Sequence, residues 1–371
     1  MENKGRQKII AINALSAKTG GGRTYLKGLL PELAKIGKDN IFYIFISKEL
    51  YNNMFENELF PSNFNFLKLD FSNSFLRAIY EQIYLPFFVL SHKIDVLFCP
   101  ANIVSFFAPA KKVVWVQNII PFMNKGIRSS IVSSWLMFWV SKLSVKIADR
   151  VIASTENSLE LLLAAGTTPS KCRRIYLGAS SFIFENQKKE KLILSVSNIY
   201  PHKNFDVLIR AFALLPDLIK NEYQIIIAGK VVGKESQEEF IRLKKTCGIL
   251  SINDKIVFDM TADEFKIKRY YEKSELFVMP SLVESFSLPV VEAMSAGLPI
   301  IASDSTCLSE VAGNAGLFFK TNSPKDLAAK IEILLVDNKL SSSLSCAGLK
   351  RAPQFSWNKA AKSLLACFAE L

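Results

Sequence analysis

The chain reads as an α/β protein of two domains, each built on a parallel sheet. Three observations predict this. Short apolar runs alternate with helical patterns along all 371 residues. That length is enough for two hydrophobic cores of ordinary domain size. One stretch, residues 180–190, turns polar and aperiodic toward its end and divides the strand–helix series into halves. The spacing therefore predicts domains over 1–180 and 181–354 and a separate C-terminal helical segment over 355–371.

In the first half, strands are expected over 8–15, 41–47, 95–99, 113–117 and 150–154, each rich in β-branched or aromatic residues. Helices are expected over 23–36, 74–90 and 129–147, where the apolar period lengthens. The second half predicts strands over 192–197, 224–228, 255–258, 276–279, 299–302 and 316–319, with helices opening near Phe205, Lys234, Asp263, Pro289 and Pro324. Phe355-Ser356-Trp357-Asn358 then leads into one more helix over 359–368.

Half the residues are hydrophobic and 22% are charged, which excludes a disordered chain. Six scattered cysteines lack any C-x-x-C pair, and with only two histidines a histidine-rich metal site is excluded. Reduced cysteines fit a cytoplasmic protein. The apolar run 9–12 is too short for a signal peptide, and no stretch of 18 apolar residues suggests a transmembrane helix. Residues 1–178 hold 22 Lys+Arg against 12 Asp+Glu, so most of the net charge of +12 lies in the first half. An anionic partner of that half follows. No helix-turn-helix, RRM or zinc pattern is present, so nucleic acid is not expected. Residues 131–140 carry Trp135 and Trp139 between Lys125, Arg128, Lys142, Lys146 and Arg150. This pattern suits either a helix lying at an anionic membrane surface or a core helix with a charged outer edge.

The stretch most informative about chemistry is Pro280-Ser281-Leu282-Val283-Glu284-Ser285-Phe286-Ser287-Leu288-Pro289-Val290-Val291-Glu292. It follows an apolar strand, and Pro289 is placed for the first turn of a helix that Gly297 ends. Backbone N–H groups at Phe286, Ser287 and Leu288 would then favour an anion, with Glu284 and Glu292 on either side. A phosphate carrying a sugar on each side satisfies both features. Two further loops matter. Thr19-Gly20-Gly21-Gly22-Arg23 opens a helix after the first strand; it is either a phosphate-facing loop or a tight strand-to-helix turn. Ser197-Asn198-Ile199-Tyr200-Pro201-His202-Lys203 follows the first strand of the second half.

Together with the downstream segment 310–319, these stretches occur in the order and spacing of a family. The chain resembles the retaining glycosyltransferases of family 4, with their E-x7-E signature and GT-B fold of two Rossmann-like parallel-sheet domains facing across a cleft. The resemblance covers most of the chain, and it implies that domain 1–180 faces the acceptor, that domain 181–354 binds the nucleotide sugar and that the helix of 355–371 crosses back to pack on the first domain. It implies that Glu284 touches the donor sugar and favours its cation-like transition state. It implies that Lys203 neutralises the departing diphosphate and that Glu292 accepts hydrogen bonds from the ribose diol. Gly21, Gly22, Asn198, Ser285, Phe286, Ser287 and Leu288 complete the implied donor site, and Gln117 and Asn118 fall where an acceptor or sugar contact is expected. Relatives often have Arg at the position of Asn198, Gly at those of Ser285 and Ser287, and His-Asp where this chain has Gln117-Asn118. The resemblance implies a nucleotide sugar as substrate, no cofactor and, since no D-x-D motif occurs, no catalytic metal. The acceptor it implies is a lipid-linked glycan of surface polysaccharide synthesis at the inner membrane face. A non-catalytic subunit of a transferase complex, or a nucleotide-sugar epimerase of the same fold, are the alternatives.

Overall fold

The computed structural model describes residues 6–17, 21–123, 132–182 and 189–371. The chain divides into two compact units, one of Met1–Gly178 with Ser356–Leu371 and one of Ala179–Phe355.

Among the described residues, the first unit holds a seven-stranded parallel sheet. Its strands are β1 (Ile9–Asn13), β2 (Ile41–Ile46), β3 (Phe64–Lys68), β4 (Val96–Cys99), β5 (Lys111–Val116), β6 (Arg150–Ala153) and β7 (Cys172–Arg174), in the order β3-β2-β1-β4-β5-β6-β7. The central β1 pairs Ile10 with Phe42 on one side and Val96 on the other. Ile10, Ala11 and Ile12 are fully buried, as an unbroken aliphatic run requires when helices cover both faces. Strands β3 and β7 lie outside the sequence expectations. Both are edge strands, and Asn65 and Lys68 in one, Arg173 and Arg174 in the other, interrupt the apolar signal. Gln117 consequently follows the fifth strand of this sheet rather than the fourth.

The helix expected over 74–90 is not uniform. It runs Ser74–Ile79, widens into a π-helical turn over Tyr80–Tyr84, and resumes as Leu85–Ser91. Pro86, at the start of the last piece, brings no N–H for the carbonyls one turn back, so the regular ladder is interrupted there. The helix expected over 129–147 is described from Val132 to Ile147. The C-terminal helix Trp357–Ala369 packs on helix Gly21–Ile36 within this unit, where the Trp357 ring meets Tyr25 edge-on at 5.7 Å. A β-carbon on Gly28 would fall inside the Trp357 indole, so this contact requires glycine.

The second unit holds a six-stranded parallel sheet: β8 (Leu192–Val196), β9 (Gln224–Ala228), β10 (Ile256–Asp259), β11 (Leu276–Met279), β12 (Ile300–Ser303) and β13 (Gly316–Phe319), in the order β10-β9-β8-β11-β12-β13. Helix Phe205–Ala213 buries Phe205, Leu208 and Phe212 in a core shared with Ile193, Ile225, Leu327 and Ile331. Short helices Asp217–Glu222 and Leu308–Ala312 and the polar, serine-rich helix Asn338–Arg351 escape the sequence reading, because their apolar stripes are short or diluted. Residues expected to link the domains instead join this unit at their start. Ala179 N donates to Phe355 O (3.2 Å) and Phe182 N to Ser295 Oγ (3.1 Å). Residues 183–188 of the expected linker lie outside the described residues.

In both sheets the chain winds outward in opposite directions from a central pair, β1 with β4 and β8 with β11. Loops leaving the C-terminal ends of such a pair diverge and open a crevice, which is where ligands of open α/β sheets bind.

Candidate functional site

Lys203 and Glu284, 81 residues apart in sequence, are brought together at the crevice of the second sheet. Lys203 closes the loop after β8, in a short 3-10 turn Pro201–Lys203, and Glu284 lies in the loop after β11. The Lys203 Nζ donates to Glu284 Oε1 at 2.8 Å, with side chains 17% and 10% exposed. The loops are also tied through their backbones, since Leu282 N donates to His202 O at 2.8 Å. Glu284 is held from three directions. Ser281 Oγ donates to its Oε1 (2.8 Å), its N–H donates to Thr306 Oγ1 (3.0 Å), and Cys307 Sγ donates to its carbonyl oxygen (3.2 Å). Burial, with the Lys203 ammonium alongside, pushes the His202 imidazole down to about 4, the Glu284 carboxylate partly opposing. His202 is therefore neutral at pH 7, and Lys203 is the cation this loop supplies.

Helix Leu288–Ser295 starts four residues after Glu284, with Ser287 at its N-cap. Phe286 points into the unit, edge-on to Phe355 at 5.5 Å, so its side chain anchors the loop and only its backbone can serve a ligand. Pro289 carries no N–H, and Val290 N donates to Ser287 O at 3.2 Å. The helix start thus offers fewer donors than an ordinary N-terminus, although its dipole still favours an anion. Asn198 stands in the loop between β8 and Lys203, half-buried. A β-carbon on Gly229 would collide with the Ser197 carbonyl, so the loops after β8 and β9 are in close contact.

Glu292 differs from its expected setting. It lies beyond the first turn of its helix, and it is partly buried rather than an open bracket of the anion site. Tyr271 Oη donates to its Oε2 at 3.0 Å. Burial pushes its carboxyl up to about 7; the Tyr271 hydroxyl opposes that, and Glu264 reinforces it.

The remaining expected residues belong to the first unit. Gly21 opens helix Gly21–Ile36 with nothing within 4 Å of where a β-carbon would stand, whereas a β-carbon on Gly22 would lie 3.3 Å from Ala17. The tight strand-to-helix turn is thus a property of Gly22; Thr19 and Gly20 lie outside the described residues. Gln117 follows β5, and its Nε2 is buried without a hydrogen-bond partner. Asn118 is committed locally. Its Oδ1 accepts from Ile120 N (3.0 Å) and its backbone exchanges hydrogen bonds with Asn102. Of this pair, Gln117 has the amide to spare. A cavity of about 360 Å³ also opens at the C-terminal ends of β1, β2 and β3, lined by Leu15, Ser47, Glu49, Leu69, Asp70 and Phe71.

Sequence reasoning missed Ser281, Thr306 and Cys307, which fix Glu284. The hydroxyl-rich run Ser303–Thr306 after β12 was a legible signal, because β12 neighbours β11 and its C-terminal end must face the same crevice. The assembled site offers one cation, a helix N-terminus and a firmly held carboxylate. That set can grip a phosphorylated, hydroxyl-rich ligand.

Residues 179–351 match the family described as Glycosyl transferases group 1. The serotype-specific mannosyltransferase WbdA of Escherichia coli is 31% identical over 182 residues, covering 49% of this chain and 22% of that protein. The O-antigen chain mannosyltransferase B of Escherichia coli is 31% identical over 174 residues, 44% of this chain and 42% of that protein. The chain thus spans well under half the length of these relatives. HepE of Anabaena, solved with UDP-glucose, superposes with a TM-score of 0.79 at 18% identity, over 98% of this chain and 100% of that one. WaaG, a glycosyltransferase involved in lipopolysaccharide biosynthesis, superposes at 0.74 and 12% identity, over 96% and 98%. The chain has the GT-B fold, and its second unit carries the region similar to glycosyl transferases of group 1.

Proposed function

We propose that the protein is a retaining, metal-independent glycosyltransferase of family 4 that moves a sugar from a nucleotide diphosphate sugar to an acceptor hydroxyl. The observation that carries this reading is the Lys203–Glu284 pair beside the N-terminus of helix Leu288–Ser295 at the β8/β11 crevice. In the reaction, the bond from the anomeric carbon to the diphosphate oxygen breaks and its electron pair leaves with the diphosphate. The acceptor oxygen bonds to the same face of the sugar, and its proton passes to a donor phosphate oxygen. Lys203 turns from Glu284 to the departing phosphate and offsets its growing charge without a metal. Glu284, freed from that partner, accepts from the sugar hydroxyls and stabilises positive charge at the anomeric carbon. Glu292 accepts from the ribose, and Asn198 provides a neutral contact to the diphosphate. Gln117 meets the acceptor or sugar without acting as a base, since an amide takes no proton at neutral pH.

The test is a thermal-shift series with UDP-, GDP- and dTDP-sugars in EDTA. A donor that binds only the native state raises the melting temperature with concentration. Turnover of that donor in EDTA, with the anomeric configuration kept in the product, is the expected result. No shift with any of the three nucleotides, or an inverted product, would sink the reading.

The acceptor in this reading is a lipid-linked glycan of O-antigen or related surface polysaccharide synthesis, reached from the cytoplasmic side. Among the described residues no helix is long and apolar enough to cross a membrane. Instead, helix Val132–Ile147 exposes Leu136, Met137, Trp139 and Leu143, and Lys142 sits 5.7 Å from the Phe138 and Trp139 rings. Exposed apolar and aromatic groups beside lysines, on the basic half of the chain, suit an anionic lipid surface. The protein should therefore sediment with phosphatidylglycerol vesicles but not with phosphatidylcholine ones, and Trp139→Glu should abolish it. Equal binding to both vesicles, or to neither, would contradict this.

A further inference from the structure

The cavity at the C-terminal ends of β1, β2 and β3 has no role in the donor chemistry, and its lining points to one kind of ligand. Leu15 follows β1, Ser47 and Glu49 follow β2, and Leu69, Asp70 and Phe71 follow β3. Its volume of about 360 Å³ falls within the range of small-ligand sites. Leu15, Leu69 and Phe71 give it apolar walls, and the Phe71 ring is backed by the Tyr80 ring at 5.2 Å. The polar side chains are two carboxylates and a hydroxyl, with no cation among the lining residues. That runs against the charge of this half of the chain, where residues 1–178 hold 22 Lys+Arg and 12 Asp+Glu.

Ser47 also caps helix Lys48–Phe55, and a helix start ordinarily attracts an anion. Here two of its donors are already taken. Asp70 Oδ1 accepts from Lys48 N at 3.2 Å, and Ser47 Oγ accepts from Leu50 N at 3.3 Å. What remains is acceptor capacity, since Asp70 Oδ2 and the Glu49 carboxylate have no partner among the described residues. An entering anion meets two like charges. A metal ion lacks ligands, because among the described residues no group of three His, Cys, Asp or Glu is placed to hold one. A ligand that fits offers O–H or N–H donors at its edge and C–H groups on its faces. A pyranose ring has both, hydroxyls for the carboxylates and C–H faces for Phe71 and the leucines.

Neighbouring strands lie about 4.8 Å apart, so the middle of the cavity, at β2, is three strands or about 14 Å from the end of β5. Gln117, assigned to the acceptor or sugar, follows β5, and a single sugar ring does not span that distance. We propose that this cavity is a saccharide subsite for a neutral or amino-bearing unit of a glycan, set apart from the unit that reacts, and that it rejects acidic sugars. The inference rests on the glycosyl-transfer reading and narrows its acceptor to a glycan of more than one unit, without carboxylate or phosphate on the unit held here.

The test is a ligand-observed NMR titration of the full chain. Neutral probes are the α-linked dimers of glucose, galactose and mannose; the dimer of galactosamine is the amino probe and digalacturonate the acidic one. At least one neutral or amino dimer should bind, and digalacturonate should not. Glu49→Gln with Asp70→Asn keeps an oxygen for Lys48 N and should weaken that binding at least tenfold, as loss of hydrogen bonds to charged groups implies. Glu49→Lys, at an exposed position, should admit digalacturonate. Unchanged binding in the double variant, or wild-type binding of digalacturonate as tight as that of the neutral dimers, overturns the proposal. A wild-type protein that is stabilised by a nucleotide sugar but binds no dimer overturns the subsite and leaves glycosyl transfer standing. One that binds a dimer through Glu49 and Asp70 but responds to no nucleotide sugar supports the subsite and overturns glycosyl transfer.

Discussion

Glu284→Gln is expected to cost the protein both stability and turnover, and a second substitution should recover only the first. Lys203 and Glu284 are 17% and 10% exposed and joined at 2.8 Å. Removing the carboxylate leaves an ammonium largely shielded from water without its counter-ion, which costs about 3 kcal/mol for a buried pair. In a domain of this size that corresponds to a melting temperature lower by roughly 5–10 °C. Replacing both partners, with Lys203→Met and Glu284→Gln together, removes the unpaired charge and should return the melting temperature close to wild type. Turnover should not return. Lys203 is assigned to the departing diphosphate and Glu284 to the sugar, so each single variant should lose about 10²–10³-fold in kcat, as loss of one transition-state electrostatic contact does. The double variant should be at least as slow as either. If the double variant regained activity along with stability, the pair would be a structural ion pair and no part of the catalytic site.

Melting temperature and nucleotide affinity should move in opposite directions with pH, through Glu292. Burial holds its carboxyl at about 7, against an ordinary value of 4.5. The folded protein therefore binds a proton that the unfolded chain has released between those two values. The stability this proton confers is complete below pH 4.5 and is lost as pH rises through 7, a change of about 3 kcal/mol by the linkage relation. Wild type should lose melting temperature between pH 5 and pH 8, and Glu292→Gln should lose much less and melt higher than wild type at pH 8. If the ionised carboxylate accepts the ribose hydroxyls, nucleotide affinity should rise with pH over the same range. About tenfold tighter binding at pH 8 than at pH 6 is expected in wild type, and little change in Glu292→Gln. A flat wild-type affinity profile would remove Glu292 from the nucleotide site and leave it as a buried partner of Tyr271.

Much of this was legible in residue order. The aliphatic runs of β1, β8 and β11 cannot be solvated on either face, so the parallel sheets follow from sequence. The start of helix Leu288–Ser295 follows from Pro289, and its end from Gly297, whose φ is +69°. Edge strands β3 and β7 were hidden because a strand paired on one side only tolerates Asn65, Lys68, Arg173 and Arg174. Of the site, the sequence supplied Glu284 and Lys203 as candidates, through a motif. The hydroxyl-rich run after β12 pointed to Thr306, but that Ser281, Thr306 and Cys307 all close on Glu284 follows only from the packing of the loops after β11 and β12.

What the sequence determined by itself is the set of elements, because burial periodicity and the backbone limits of proline and glycine act over a few neighbouring residues. What only the tertiary structure decided is the state of each side chain. That Lys203 is paired, Glu292 shielded and Asn118 committed to its own turn depends on which distant atoms close around it. Desolvation and hydrogen-bond satisfaction are properties of the packed surroundings, so no local pattern encodes them.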